Sequence, residues 1–115
     1  MKRFLTALAL ASIAFSGAAD AKDFKAGSKV RIATEGAYAP WNFTESSGRL
    51  AGCEVDLYAD LCERMGVQCD LVQTAWEGII PALQAGKFDA IMACMSITDK
   101  RKKVITFSRS YMGSP

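Results

Sequence analysis

Six side chains are of the right type to hold a small charged molecule: Glu35, Tyr38, Trp76, Ser96, Thr98 and Arg101. A guanidinium such as that of Arg101 grips a carboxylate through two parallel hydrogen bonds. The hydroxyls of Ser96 and Thr98, just before it, can donate further bonds. The rings of Tyr38 and Trp76 can sandwich an aliphatic or cationic chain by dispersion and cation–π attraction. Glu35 can neutralise a ligand cation. Together these groups match a zwitterion with a positively charged tail. Each also has a plainer reading: the rings as core filler, the basic run Lys100 to Lys103 as a solvated helical face, Glu35 as a surface carboxylate. Their common placement after predicted strands is what sets them apart.

The composition removes other chemistries. The chain has 115 residues, 14 Lys plus Arg, 12 Asp plus Glu and no His. It therefore has no His metal ligand, no Ser-His-Asp triad and no Cys-His pair. No Cys-x-x-Cys occurs, so neither a thioredoxin-like motif nor a zinc knuckle is indicated. Neither a P-loop pattern nor G-x-G-x-x-G is found. A net charge of +2 is too weak to imply nucleic acid, and one short basic run does not imply a membrane surface. The length suits one small domain.

The elements that must position these residues alternate along the chain. Val30 to Thr34 reads as a strand, and Glu35 to Gly48 as a loop with a turn, rich in Gly, Pro, Asn and Ser. Val55, Tyr58, Leu61, Cys62 and Met65 fall at steps of three and four, predicting a helix over 54–65. Glu54 and Asp56 suit its amino terminus, and Gly66 terminates it. Cys69 to Gln73 reads as a second strand. Thr74-Ala75-Trp76-Glu77 fits a capping box with Thr at the cap. A helix to about Gln84 follows, starting late or bending at Pro81 and closed by Gly86. Phe88 to Ala93 is apolar enough for a buried parallel strand. Thr98 to Arg101 looks like a capped helical turn, and Val104 to Phe107 like a last strand. Strands joined by helices imply an α/β fold, a parallel sheet with helices on its faces. Ligands of such sheets sit at the carboxyl ends of strands. Glu35 to Trp41, Thr74 to Glu77 and Ala93 to Arg101 all fall there.

The amino terminus carries Lys2 and Arg3, then sixteen uncharged residues from Phe4 to Ala19, then Ala19-Asp20-Ala21. That is the pattern of a secretory signal peptide over residues 1–21; the alternative is a short membrane anchor, for which the stretch is too polar. All four cysteines, Cys53, Cys62, Cys69 and Cys94, lie in the exported part, where disulfides are possible. Four cysteines allow three complete pairings, and spacing does not choose among them.

Five ordered segments resemble the periplasmic solute-binding proteins of polar amino-acid ABC transporters, family 3 type. They are Val30 to Phe43, Gly52 to Leu57, Trp76 to Leu83, Asp89 to Met92 and Met95 to Arg101. The similarity is greatest to the lysine/arginine/ornithine, histidine and opine binders. It implies the fold of a type II periplasmic-binding-protein-like lobe in residues 22–115. It also implies roles. Arg101 holds the ligand α-carboxylate, and Ser96 hydrogen-bonds the carboxylate or the α-ammonium. Tyr38 and Trp76 stack on either side of the ligand chain, and Glu35 faces the distal cation. Cys62 and Cys69 match a disulfide pair of the basic amino-acid branch. Ala93 and Cys94 line the site where many relatives have Ser-Ser; small apolar residues there resemble the opine binders. Cys53 stands where Phe is usual, and Cys53 with Cys94 could bridge or remain as two thiols.

The same resemblance implies a monomeric capture protein in the periplasm, with an amino acid or opine as ligand and an inner-membrane ABC permease as partner. It implies no cofactor, no metal and no catalysis. Two alternatives share the fold: a cyclohexadienyl dehydratase-like enzyme and a periplasmic sensor domain. Family members have two lobes that close on the ligand. The sequence is expected to stop near the first hinge crossover, without its second lobe. On its own it is expected to bind arginine or lysine very weakly or not at all.

Overall fold

The computed structural model describes residues 24–113; the signal-peptide expectation for residues 1–21 lies outside them. Strand β1 (Lys29–Thr34) is the centre of a parallel sheet. On one side it pairs with β5 (Gln68–Gln73), from Lys29 opposite Gln68 to Thr34 opposite Gln73. On the other it pairs with β6 (Ala90–Ile91), Ile32 opposite Ala90 and Ala33 opposite Ile91. Strand order is β5-β1-β6. Helix α1 (Cys53–Met65) leads into β5, and helix α2 (Trp76–Gln84) connects β5 to β6.

Because side chains alternate along β1, its residues feed two cores on opposite faces. Val30 and Ile32 pack with Cys62 of α1 and with Met92. Ala33 packs with Ile79 of α2, Phe88 and Ala93. Arg31 ties β1 to the turn after α2: its guanidinium donates to the carbonyls of Lys87 (2.8 Å) and Gly86 (3.0 Å), and its backbone N–H donates to the Asp89 carboxylate at 2.9 Å.

Several local expectations need correction. The predicted loop over 35–48 contains two short strands, β2 (Ala37–Tyr38) and β3 (Asn42–Thr44), and with β4 (Leu50–Ala51) they form a small antiparallel sheet. Side chains fix it: Asn42 Oδ1 accepts from the Gly36 N–H at 2.8 Å, and the Thr44 hydroxyl donates to the Gly36 carbonyl at 3.1 Å. The expected capping box at Thr74 does not form, and Ala75 takes the cap position with no side-chain bond. The Thr74 N–H is already committed to the Thr34 carbonyl at 2.9 Å, extending the sheet ladder past β5. Pro81 neither delays nor breaks α2, which runs unbroken from Trp76 to Gln84. After it, Gly86 adopts φ 74°, and the Lys87 and Gly86 amides return to the carbonyls of Ala82 and Leu83, the usual glycine termination.

The strand predicted over 88–93 is reduced to the two residues of β6. Flanking bonds from the Asp89 N–H to the Arg31 carbonyl and from the Met92 N–H to the Ala33 carbonyl, both 2.8 Å, extend the connection. The segment 104–107 is not a strand: no ladder partner faces it among the described residues. Helix α1 buries less of its apolar stripe than predicted, with Leu61 and Met65 exposed. Glu54 does lie in the first turn of α1, as expected, but it is 1% exposed. Cys62 and Cys69 are disulfide-bonded, joining α1 to β5. Cys53 and Cys94 are free thiols.

Candidate functional site

Three chain segments leave the sheet at the carboxyl ends of β1, β5 and β6 and meet there. After β1, Glu35 and Gly36 turn the chain toward β2. Gly36 has φ 77°, and a Cβ on it would lie 2.6 Å from Gln73 Nε2, so a side chain is disfavoured by both conformation and space. Gln73 Nε2 donates to the Glu35 carbonyl at 3.2 Å and to Thr44 Oγ1 at 3.1 Å, fixing the turn to the end of β5. This places Tyr38 at the rim, with part of its ring in solvent.

After β5, Trp76 opens α2 and packs against the core cluster of Ala33 and Ile79. After β6, the chain passes the buried Ala93 and reaches Cys94 at φ 48°, a left-handed conformation uncommon for a residue with a Cβ. It then runs through Ser96 to the short helix α3 (Asp99–Lys102). Thr98 caps α3, its hydroxyl accepting from the Arg101 N–H at 3.2 Å. The Arg101 guanidinium donates to the Ser96 carbonyl at 2.9 Å and lies 5.3 Å from the centre of the Trp76 ring. Trp76 thus supports the guanidinium by cation–π attraction.

Glu35, Tyr38, Trp76, Ala93, Cys94, Ser96 and Arg101 line one hollow of about 320 Å³. The structure therefore brings together all seven residues singled out from the sequence as ligand contacts. A larger groove of about 460 Å³ runs along β6, with Leu57, Leu61, Leu83, Ile105 and Phe107 among its walls. The smaller hollow is the better candidate, because it combines both charge signs, two rings and three strand ends. A carboxylate, a guanidinium and flanking aromatic faces can hold a charged organic solute. No nucleophile–base pair is assembled among the seven.

Sequence reasoning missed the support beneath this hollow. The Glu54 carboxylate accepts from the Cys94 N–H at 2.6 Å and from Asn42 Nδ2 at 2.6 Å, and it also accepts from the Tyr111 hydroxyl. Asn42 and Glu54 are both buried. A signal was available: Glu54 lies four residues before Tyr58, on the same stripe as Cys62, where an acid is out of place. Burial, then the Glu54 carboxylate, then Cys53 push the Cys94 thiol above its ordinary pKa. It is accordingly a neutral thiol at physiological pH. Burial, then the hydrogen bond to Glu54, hold the Tyr111 hydroxyl well above the usual phenol range.

Residues 30–115 match the model of the bacterial extracellular solute-binding proteins, family 3. The chain belongs to that family. An octopine-binding periplasmic protein of Rhizobium meliloti is 58% identical over 71% of this chain and 28% of its own length. A solved family member from Silicibacter pomeroyi, a periplasmic His/Glu/Gln/Arg/opine family-binding protein in complex with lysine, is 47% identical. It covers 72% of this chain and 38% of that one, with a TM-score of 0.70. The arginine-bound form of domain 1 from TmArgBP, solved as a point mutant, is 34% identical with a TM-score of 0.70, over 73% of this chain and 65% of that one. An ancestral cyclohexadienyl dehydratase is a further neighbour in fold. The fold is thus that of one lobe of a type II periplasmic binding protein, over part of that lobe. The chain spans less than half the length of the curated relatives it matches.

Proposed function

We propose that this chain is the capture component of an ABC transporter, exported to the periplasm, and that it takes a basic amino acid or an opine. One observation carries the reading: a single hollow presents Glu35, Arg101, Tyr38 and Trp76 together. Arg101 takes the ligand carboxylate as a bidentate pair. Trp76 and Tyr38 flank the aliphatic chain, and Glu35 meets the distal cation. Ala93 and Cys94 present only a methyl and a neutral thiol, leaving room for the bulk of an opine. Ser96 stands beside Arg101 as a further hydrogen-bonding group. The named relatives bind arginine, histidine or octopine, which supports this ligand class. The protein acts as a monomer and delivers its ligand to an inner-membrane permease.

The lone TmArgBP domain with arginine bound supports retention of ligand by one lobe. Contacts from this hollow alone are expected to hold a ligand weakly. NMR titration of the chain with L-arginine, L-lysine and octopine is expected to give a dissociation constant of ~1 mM for at least one of them, about −4 kcal/mol. Arg101→Ala is expected to remove that binding. No shift from any of the three ligands would overturn the reading that this chain holds them by itself. Product release on incubation with prephenate would favour the dehydratase alternative instead.

A further inference from the structure

Glu54 is a buried carboxylate that does not itself line the hollow, yet it joins the two strand ends that form it. One oxygen accepts from the Cys94 N–H, at the floor. The other accepts from Asn42 Nδ2, and Asn42 Oδ1 in turn accepts from the Gly36 N–H, beside Glu35. The chain Cys94–Glu54–Asn42–Gly36 therefore links the floor to the wall that carries Glu35 and Tyr38. Its polarity is fixed from both ends, because a backbone N–H can only donate. Gly36 forces the Asn42 oxygen toward itself and its amide nitrogen toward Glu54. Cys94 forces an acceptor at the opposite Glu54 oxygen. Both oxygens must accept, a condition only a carboxylate meets.

We infer that Glu54 is a positioning residue of the ligand hollow, holding the Cys94 floor and the Glu35–Tyr38 wall in fixed relation through this directional chain. The inference uses the proposed ligand site but rests on a separate set of bonds. In Glu54→Gln the introduced amide nitrogen must face a donor in either orientation. It confronts either the Cys94 N–H or the Asn42 amide, and the link breaks. Adding Asn42→Asp reverses the chain without changing the net charge of the parent. The introduced amide then accepts from Cys94 through its oxygen and donates through its nitrogen to the new carboxylate. That carboxylate still accepts from Gly36.

Two measurements on the full chain test this, both in a Cys53→Ser background so that a single thiol is free. The first is L-arginine affinity by NMR titration. The second is the rate of Cys94 alkylation by N-ethylmaleimide without ligand. Glu54→Gln is expected to weaken arginine binding about fivefold and to speed alkylation by a similar factor, as one directional buried bond is lost. Asn42→Asp/Glu54→Gln is expected to return both to within about twofold of the parent. Glu54→Gln with both values unchanged would overturn the inference. So would a double variant that stays as impaired as the single one, or that fails to fold. If the parent binds no arginine, the reading that this chain holds ligand by itself fails separately, and the alkylation rates alone decide whether Glu54 positions Cys94.

Discussion

The two faces of the central sheet are built differently. Under α2, Ala33, Ile79, Phe88 and Ala93 are all at most 3% exposed. Under α1, the buried set is looser at its margins, and Leu61 and Met65 remain 40% and 49% exposed on the helix. The α1 side has a covalent tie between Cys62 and Cys69; the α2 side relies on packing. Trp76 and Ala93 belong to the α2-side cluster or pack against it, so the floor of the hollow stands on the better-packed face. The α1 side contributes Glu54, which reaches the same floor by hydrogen bonds. Packing and directed polar bonds thus fix one small surface from opposite faces of a single sheet.

Cutting into each face should expose this asymmetry. Ile79→Ala removes a side chain with no exposure and is expected to cost ~3 kcal/mol, by lost burial plus the cavity left behind. Urea unfolding measures it. The α1 tie comes next: replacing Cys62 and Cys69 by Ala is expected to cost ~2 kcal/mol, since a short closed loop is freed in the unfolded chain. The same loss should appear as a lower thermal midpoint on adding dithiothreitol to the parent. Leu61→Ala is the smallest cut. Its side chain is already part-solvated, so less than ~1 kcal/mol is expected in the same urea assay. An Ile79→Ala loss no larger than that of Leu61→Ala would erase the contrast between the faces.

The large elements were legible because their signals are periodic. The apolar run of β1, the three-and-four spacing of α1 and the glycine ends of both long helices lie in the local sequence. Thr98 was legible too, because a cap is satisfied within three residues. The β2–β4 sheet was not, since strands of two or three residues have no period, and their register depends on Asn42 and Thr44 meeting Gly36. The capping box failed on competition: the Thr74 amide went to Thr34 across the sheet. The segment 104–107 has strand-like residues, but a strand needs a partner as well as a composition. The hollow itself was anticipated because its seven residues follow strand ends and match a family pattern. Glu54 was not, since its partner at Cys94 is 40 positions away and local rules assign a first-turn acid to the helix dipole.

The hollow draws its walls from three returns of the chain, at 35–38, at 76 and at 93–101. No excised peptide contains it, and an unfolded chain does not present it. Any solute that fits there must recognise the folded form alone, which shifts the folding equilibrium by mass action. A solute held in the hollow therefore acts as a folding aid for the chain that holds it.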